Sequence, residues 1–232
     1  MRLTTREITM GGVLGAITII LGFTYLGYIT VPTPAGAATL MHIPVIISGI
    51  VLGAKVGALV GTIFGLSAIY YFSSIAPIWV LFPARPLIGV FAALSFQFMY
   101  KLLKRERERS LPYSSILLSL IFFLMFLWIF RNYNKYLSSV LSFVLAAIIF
   151  YTLFKTDPLI SSMTFASIIG SITNTVITLG LAVVFKIFNL QQAVTIGIVQ
   201  GIPEAIVAVV LCVPISIFLK RFVEKRKVSE EA

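Results

Sequence analysis

Stretches free of Asp, Glu, Lys and Arg dominate the chain: residues 8–54, 56–84, 86–100, 110–130, 136–154, 158–185, 187–203 and 205–219. A helix needs roughly 20 mostly apolar residues to cross the hydrocarbon core of a bilayer. The first run is long enough for two passes, and the pattern predicts spans near 8–29, 38–54, 56–74, 84–103, 112–130, 136–154, 160–186 and 195–219. Lipid offers no hydrogen-bond partner to an open sheet edge, so a chain built this way is expected to be helical throughout. The predicted fold class is an all-α polytopic membrane protein of about eight transmembrane helices. The first apolar region runs directly into the second, and no small-residue cleavage site closes a short hydrophobic segment. It reads as a retained first helix, not a cleavable signal.

Composition narrows the class further. Of 232 residues, 59% are hydrophobic and 11% charged, with a mean hydropathy of +1.05. Soluble domains carry about 25% charged residues, so too few polar groups are present to face water, and a soluble enzyme or a disordered chain is excluded. The net charge of +10 is unevenly placed. With the N-terminus inside, 14 basic residues fall on the cytoplasmic side, and 4 (Arg85, Arg131, Lys135 and Lys186) fall outside. That excess is the positive-inside signature and predicts both termini in the cytoplasm.

The chain changes character after a charged connector, KLLKRERER at 101–109. Residues 112–154 are rich in Leu, Phe, Ile and Ser, lack glycine and hold one proline, Pro112, whereas the flanking regions are rich in both. The expected organisation is a single membrane domain with a six-helix core, 1–104 and 158–220, an inserted helical hairpin, 110–155, and a cytoplasmic tail, 221–232.

Little in the sequence points to catalysis. One cysteine, Cys212, and one histidine, His42, exclude an internal disulfide and a cysteine- or histidine-built metal cluster. The patterns GxxxxGK[ST], GxSxG and HExxH are all absent. The candidates are instead polar residues inside apolar runs. Arg85, in FPARPLIG, lies at the outer end of the fourth span. An ionisable residue there is a functional-site hypothesis, and a guanidinium can take a carboxylate through two parallel hydrogen bonds. Snorkelling to the interface is the structural alternative. Glu204, in QGIPEAIV, is the one acid within a span, with Pro203 expected to break the helix before it. It either pairs with Arg85 or meets a ligand. Asn174 lies mid-span among Thr173, Thr175 and Thr178, a cluster able to bind a polar solute or to knit helices together. His42, Gln200 and Trp79 complete the candidate binding set. Residues 29–41, with two prolines, a glycine and three threonines, argue against continuous helix and suit a lid or a plain connector.

Small residues form two further patterns. Gly49, Gly53, Gly57, Gly61 and Gly65 recur every fourth residue, which lets helix backbones approach closely. Lys55 is expected at the tip of a tight turn in GAKVG. In the first span, Gly11 with Gly15 and Gly12 with Ala16 form two overlapping small-xxx-small pairs, suited to internal packing or to an external helix.

Four of these stretches, in this order, resemble the substrate-binding S components of energy-coupling factor (ECF) transporters: MGGVLGAI at 10–17, TLMHIPVIISGIVLGAKVGALVGTIFGL at 39–66, FPARPLIGVFAAL at 82–94 and GSITNTVITLGLAVVF at 170–185. With the last helix, the resemblance covers 1–104 and 158–220 and leaves out 105–157. Family members usually have six spans, so the hairpin departs from their pattern. The resemblance implies a subunit that captures a vitamin outside a bacterial or archaeal cytoplasmic membrane. Such a subunit works with a transmembrane coupling subunit and two ATPases, toppling in the bilayer to deliver its load. No cofactor is implied on this chain, since ATP is used by the partner subunits. Docking on the coupling subunit would fall to Gly11, Gly12, Gly15 and Ala16, where the family more often has alanine at some positions.

The Arg-Pro-Leu-Ile-Gly and Thr-Asn-Thr stretches look most like the pantothenate-type branch. Arg85 would then hold the carboxylate, with Asn174 and His42 on polar groups, under the 29–41 loop and between the fourth and the last two spans. Three rival readings accompany this one: a stand-alone proton-coupled transporter using Glu204, an intramembrane enzyme, and a purely structural subunit.

Overall fold

A computed structural model describes residues 3–24, 26–30, 37–72, 76–109, 113–129 and 135–230. Among the described residues, ten helices and one small hairpin follow in order: α1 Thr5–Phe23, β1 Tyr28–Thr30, β2 Ala37–Thr39, α2 His42–Leu52, α3 Ala54–Phe72, α4 Ile78–Leu81, α5 Ala84–Arg109, α6 Tyr113–Ile129, α7 Lys135–Lys155, α8 Pro158–Val184, α9 Leu190–Ile196 and α10 Ile202–Glu230. Residues Gly197–Gly201 form a π-helical turn between α9 and α10. Among the described residues, four helical stretches are long and apolar enough to cross a membrane: Thr5–Phe23, Ile78–Arg107, Pro158–Val184 and Leu190–Val223. Four shorter apolar helices accompany them, at His42–Leu52, Ala54–Tyr70, Ser115–Leu127 and Ser139–Lys155. The protein is an all-α polytopic membrane protein.

The expected elements stand with corrections at their ends. The first span was expected to reach residue 29, but α1 stops at Phe23. Gly27 there lies so close to the helix end that a Cβ on it would stand 2.7 Å from the Leu21 carbonyl. The chain then enters an antiparallel hairpin, with Tyr28 opposite Thr39 and Thr30 opposite Ala37. Apart from Tyr28, these two strands fall in the 29–41 stretch expected to be non-helical, and they shorten the second helix, which starts at His42. Residues 31–36 of that stretch lie outside the described residues. Helices α2 and α3 are separated by Gly53 alone, whose φ of 92° belongs to the region glycine occupies without strain. Lys55 is therefore in the first turn of α3, not at a loop tip.

Helix starts follow local chemistry. Thr4 and Glu7 form a reciprocal capping box for α1. Asn189 and Gln192 do the same for α9. Asp157 accepts from the Leu159 N–H at 2.7 Å just ahead of Pro158, a proline at the first helical position where no N–H is needed. Just past the end of α8, Lys186 takes a φ of 58°; its N–H reaches the Val183 carbonyl, and the Ile187 N–H reaches that of Ala182. That pair of bonds satisfies carbonyls the helix end would otherwise leave orphaned.

The last span was expected to begin near 195 and to break at Pro203. It begins at Leu190 and continues through Pro203. Proline has no N–H for the carbonyl four residues back, and the wider turn at 197–201 absorbs that loss without ending the helix. The helix runs on to Glu230, so the segment from 221 is helical.

The chain forms two compact units, Met1–Phe96 with Met163–Ala232, and Gln97–Ser162. The second takes in α6 and α7, which pack on each other with Ser115, Ser119, Ser142 and Ala146 buried. In the first, α3 packs on both α1 and α2, and α2 packs on α10. Its core is filled by Met41, Val45, Ile46, Val60, Phe64, Ile88 and Met163. The glycine series makes three backbone-to-backbone approaches, the first where a Cβ on Gly49 would collide with the Gly89 carbonyl. A Cβ on Gly57 would lie 2.8 Å from the Gly89 carbonyl, and one on Gly61 would collide with the Arg85 carbonyl. Gly65 packs under the Phe82 ring. Only hydrogen at these positions lets α3 lie directly against the start of α5.

The two small-residue pairs of α1 part company. Gly11 and Gly15 are buried, and a Cβ on them would strike Val56 at 2.7 Å and Ile63 at 2.6 Å respectively. Gly12 and Ala16 are exposed on the opposite side, and a Cβ on Gly12 would meet nothing within 4 Å. The set assigned to docking is therefore half internal packing.

Two substitutions test this packing. Gly57→Leu is expected to lower the unfolding free energy of the purified subunit by at least the ~1–3 kcal/mol typical of overpacking. Gly12→Leu is expected to leave its melting temperature nearly unchanged. Thermal unfolding in detergent measures both.

Candidate functional site

Arg85 is delivered by a sequence of breaks. The short α4 ends at Leu81, the Arg85 N–H bonds back to the Phe82 carbonyl at 3.1 Å, and α5 starts at Ala84. Pro86 sits in the first turn, where its missing N–H costs nothing. The arginine is thus held at a helix N-terminus, the end at which the backbone dipole disfavours a cation.

Its side chain is 3% exposed. The guanidinium carbon lies 4.7 Å from the centre of the Phe64 ring, a cation–π contact. Nη1 donates to Asn174 Oδ1 in a short hydrogen bond and to Thr178 Oγ1 at 2.8 Å. Both partners come from α8, one helical turn apart, so the mid-span polar cluster meets the arginine on one face. Among the described residues Nε finds no hydrogen-bond partner.

Glu204 is 7% exposed and accepts from the Thr39 backbone N–H at 2.7 Å. This bond ties the end of β2 to α10. The side chains of Asn174 and Thr175 face the same carboxylate. Among the described residues Arg85 and Glu204 form no ion pair, which answers one of the two alternatives left open for Glu204. Asn174 stands between them instead.

The π-helical turn supplies the third wall. Ile196, Gln200, Glu204, Ala208 and Cys212 are all buried at a spacing of four. A regular helix drifts by about 40° per four residues, which would carry this row off one face. The wider turn at 197–201 holds Ile196, Gln200 and Glu204 toward the same space. With the helix starting at Leu190, Glu204 lies about four turns in, deeper than the two turns expected.

Thr39, Arg85, Asn174, Thr175, Thr178, Gln200 and Glu204 line a cavity of about 90 Å³ closed by Val80, Leu81, Leu179 and Phe188. Four of the candidate residues (Arg85, Asn174, Gln200 and Glu204) are therefore brought together. Two are not. Trp79 is 57% exposed and pairs with Phe185, its ring centre 6.4 Å away, outside this lining. It sits one position before Val80, and on α4 that step turns it away from the cavity. His42 is fully buried at the start of α2, with neither ring nitrogen hydrogen-bonded. It lies near the main chain at Thr39 and Glu204 and is not among the cavity-lining residues. Sequence reasoning missed Thr39, whose contribution is a backbone N–H and leaves no mark in side-chain chemistry. Thr178 was noted only as a neighbour of Asn174, though its i+4 spacing from that residue marks the face they share.

A second space lies alongside. A groove of about 850 Å³ runs along α8 and the α9–α10 helix, lined by aliphatic side chains, glycines and two threonines. Among the described residues no cluster of metal-ligating side chains is present.

The family model for "ECF transporter, substrate-specific component" matches residues 6–216. The match runs through the 105–157 stretch that the four motifs left out. The chain matches no curated protein.

Removing Asn174 leaves the buried guanidinium short of a partner. Asn174→Leu is expected to cost ~1.5–3 kcal/mol, the worth of a hydrogen bond to a charged group, read as a lower melting temperature of the purified subunit. Asn174→Asp, which keeps the acceptor, is expected to recover it.

Proposed function

Since the chain belongs to the substrate-specific components of ECF transporters, we propose that it is the solute-binding subunit of an ATP-driven importer and that it captures a carboxylate-bearing vitamin at Arg85. Membership makes it a transporter component that works with coupling and ATPase modules on a small-molecule substrate. The family is not an enzyme family.

The observation that carries the ligand chemistry is the arginine's surroundings. A buried charge is costly unless paired, and this one is held by neutral groups: an amide oxygen, a hydroxyl and an aromatic face. Its hydrogen bonds point it into the cavity with donors left over. A ligand carboxylate would supply the directly hydrogen-bonded anion that Glu204 does not, in a low-dielectric site where charge-assisted hydrogen bonds are strong. Glu204 beside it suits a hydroxyl or amide donor on the same ligand. Pantothenate carries a carboxylate with hydroxyl and amide groups, and is the first candidate. The polar cavity faces outward in this reading, both termini lie in the cytoplasm, and the membrane is that of a bacterium or archaeon. The exposed Gly12–Ala16 strip of α1 docks the coupling subunit, because its partners Gly11 and Gly15 are already occupied by α3.

Purified subunit screened by thermal shift against a vitamin panel tests the ligand. A ligand held by the native state alone raises the melting temperature with its concentration. Pantothenate is expected to do so, and Arg85→Ala to abolish the shift. An anionic vitamin that binds the variant with unchanged affinity would overturn the assigned role. Docking is tested by co-purification: Gly12→Leu is expected to reduce recovery of the coupling subunit while the vitamin shift persists.

A further inference from the structure

The polar cavity is too small for the whole of a vitamin-sized ligand. Small-molecule sites usually offer about 300–1,000 Å³, whereas about 90 Å³ is available beside Arg85. The missing room lies next door, in the groove of about 850 Å³. Thr175 and Leu179 line both spaces, so the partition between them is one side chain thick. Across that partition stand glycines. A Cβ on Gly197 would lie 3.5 Å from Leu179 Cδ1, and one on Gly201 would lie 3.0 Å from Thr175 Cγ2. Leu179 thus faces bare backbone at the seam it forms with Thr175 between cavity and groove.

We propose that the ligand is an amphiphilic acid, with its carboxylate on Arg85 and an aliphatic portion passing Leu179 into the groove between α8 and α10. The inference rests on the reading of Arg85 as the carboxylate site. Three features favour this occupant. The groove is continuous with the charged end of the site through the Leu179 seam. Its lining offers a polar solute almost no hydrogen bonds. It lies on two membrane-spanning helices, where Val176, Ile202 and Ile206 are each more than half exposed along it, at 61%, 55% and 59%. Apolar surface left open beside a buried cation is what a head-and-tail ligand would cover.

The test uses the whole subunit in lipid nanodiscs, titrated calorimetrically with straight-chain carboxylates from butyrate to decanoate and with pantothenate. Affinities are referred to free aqueous ligand, with empty nanodiscs subtracted for partition into the bilayer. Affinity is expected to rise about two- to fourfold per methylene, as burial of each group predicts, and to vanish for the methyl esters and in Arg85→Ala. Val176→Phe, at an exposed position that leaves the fold undisturbed, and Leu179→Trp are expected to flatten the chain-length dependence. Arg85-dependent binding with no chain-length dependence, or with pantothenate far above every fatty acid, would overturn this inference and leave the carboxylate site standing. The groove would then belong to bilayer lipid or to a helix of another subunit. Binding that Arg85→Ala does not alter, or no binding by any acid, would overturn both.

Discussion

The fold is arranged around one charge that it cannot leave in lipid. A guanidinium held away from water costs several kcal/mol unless other groups take over its solvation, and at Arg85 that task is shared by two helices. Helix α8 brings Asn174 and Thr178 to one nitrogen, and α3 brings the Phe64 ring beneath it. Each contact constrains a neighbour. The α8 residues must share a face, Phe64 must be fully buried, and α5 must begin where its first turn meets α3.

Close approach of backbones makes that meeting possible. Gly57 and Gly61 remove the side chains that would hold α3 and α5 apart, so the arginine starts its reach from within the helix layer. The π-helical turn does comparable work on the other side. By widening one turn around Pro203, the last helix keeps Gln200 and Glu204 aimed at the same space as Arg85 without breaking. Glycine and proline, poor residues for a helix interior in water, are here what lets long helices carry polar groups to one point.

Much of this was legible in the residues. Charge-free runs located the helices because lipid permits few other structures. Arg85, Asn174 and Glu204 stood out because ionisable and amide groups are rare inside such runs, and the structure collects them with Gln200 in one cavity. What escaped was geometry that apolar patterning does not encode. The Tyr28–Thr39 hairpin reads as a loop, because its stabilising bonds are main-chain. The continuity of the last helix through Pro203 depends on a register shift that leaves no mark in hydropathy. Trp79 and Val80 are adjacent and equally apolar, yet only Val80 faces the cavity. Gly11 and Gly12 are identical and adjacent, and only the position of α3 decides which is buried.

The bond from the Thr39 N–H to Glu204 joins two parts of the molecule far apart in sequence, a short hairpin and a long membrane helix. Because that carboxylate also lines the cavity, whatever happens to it is felt at the hairpin. A group that competes for the same oxygen weakens the tie, and a hairpin that lifts away frees the oxygen for other donors. Such linkage is reciprocal by thermodynamic necessity. The hairpin and the cavity are therefore coupled through a single shared acceptor, the Glu204 carboxylate.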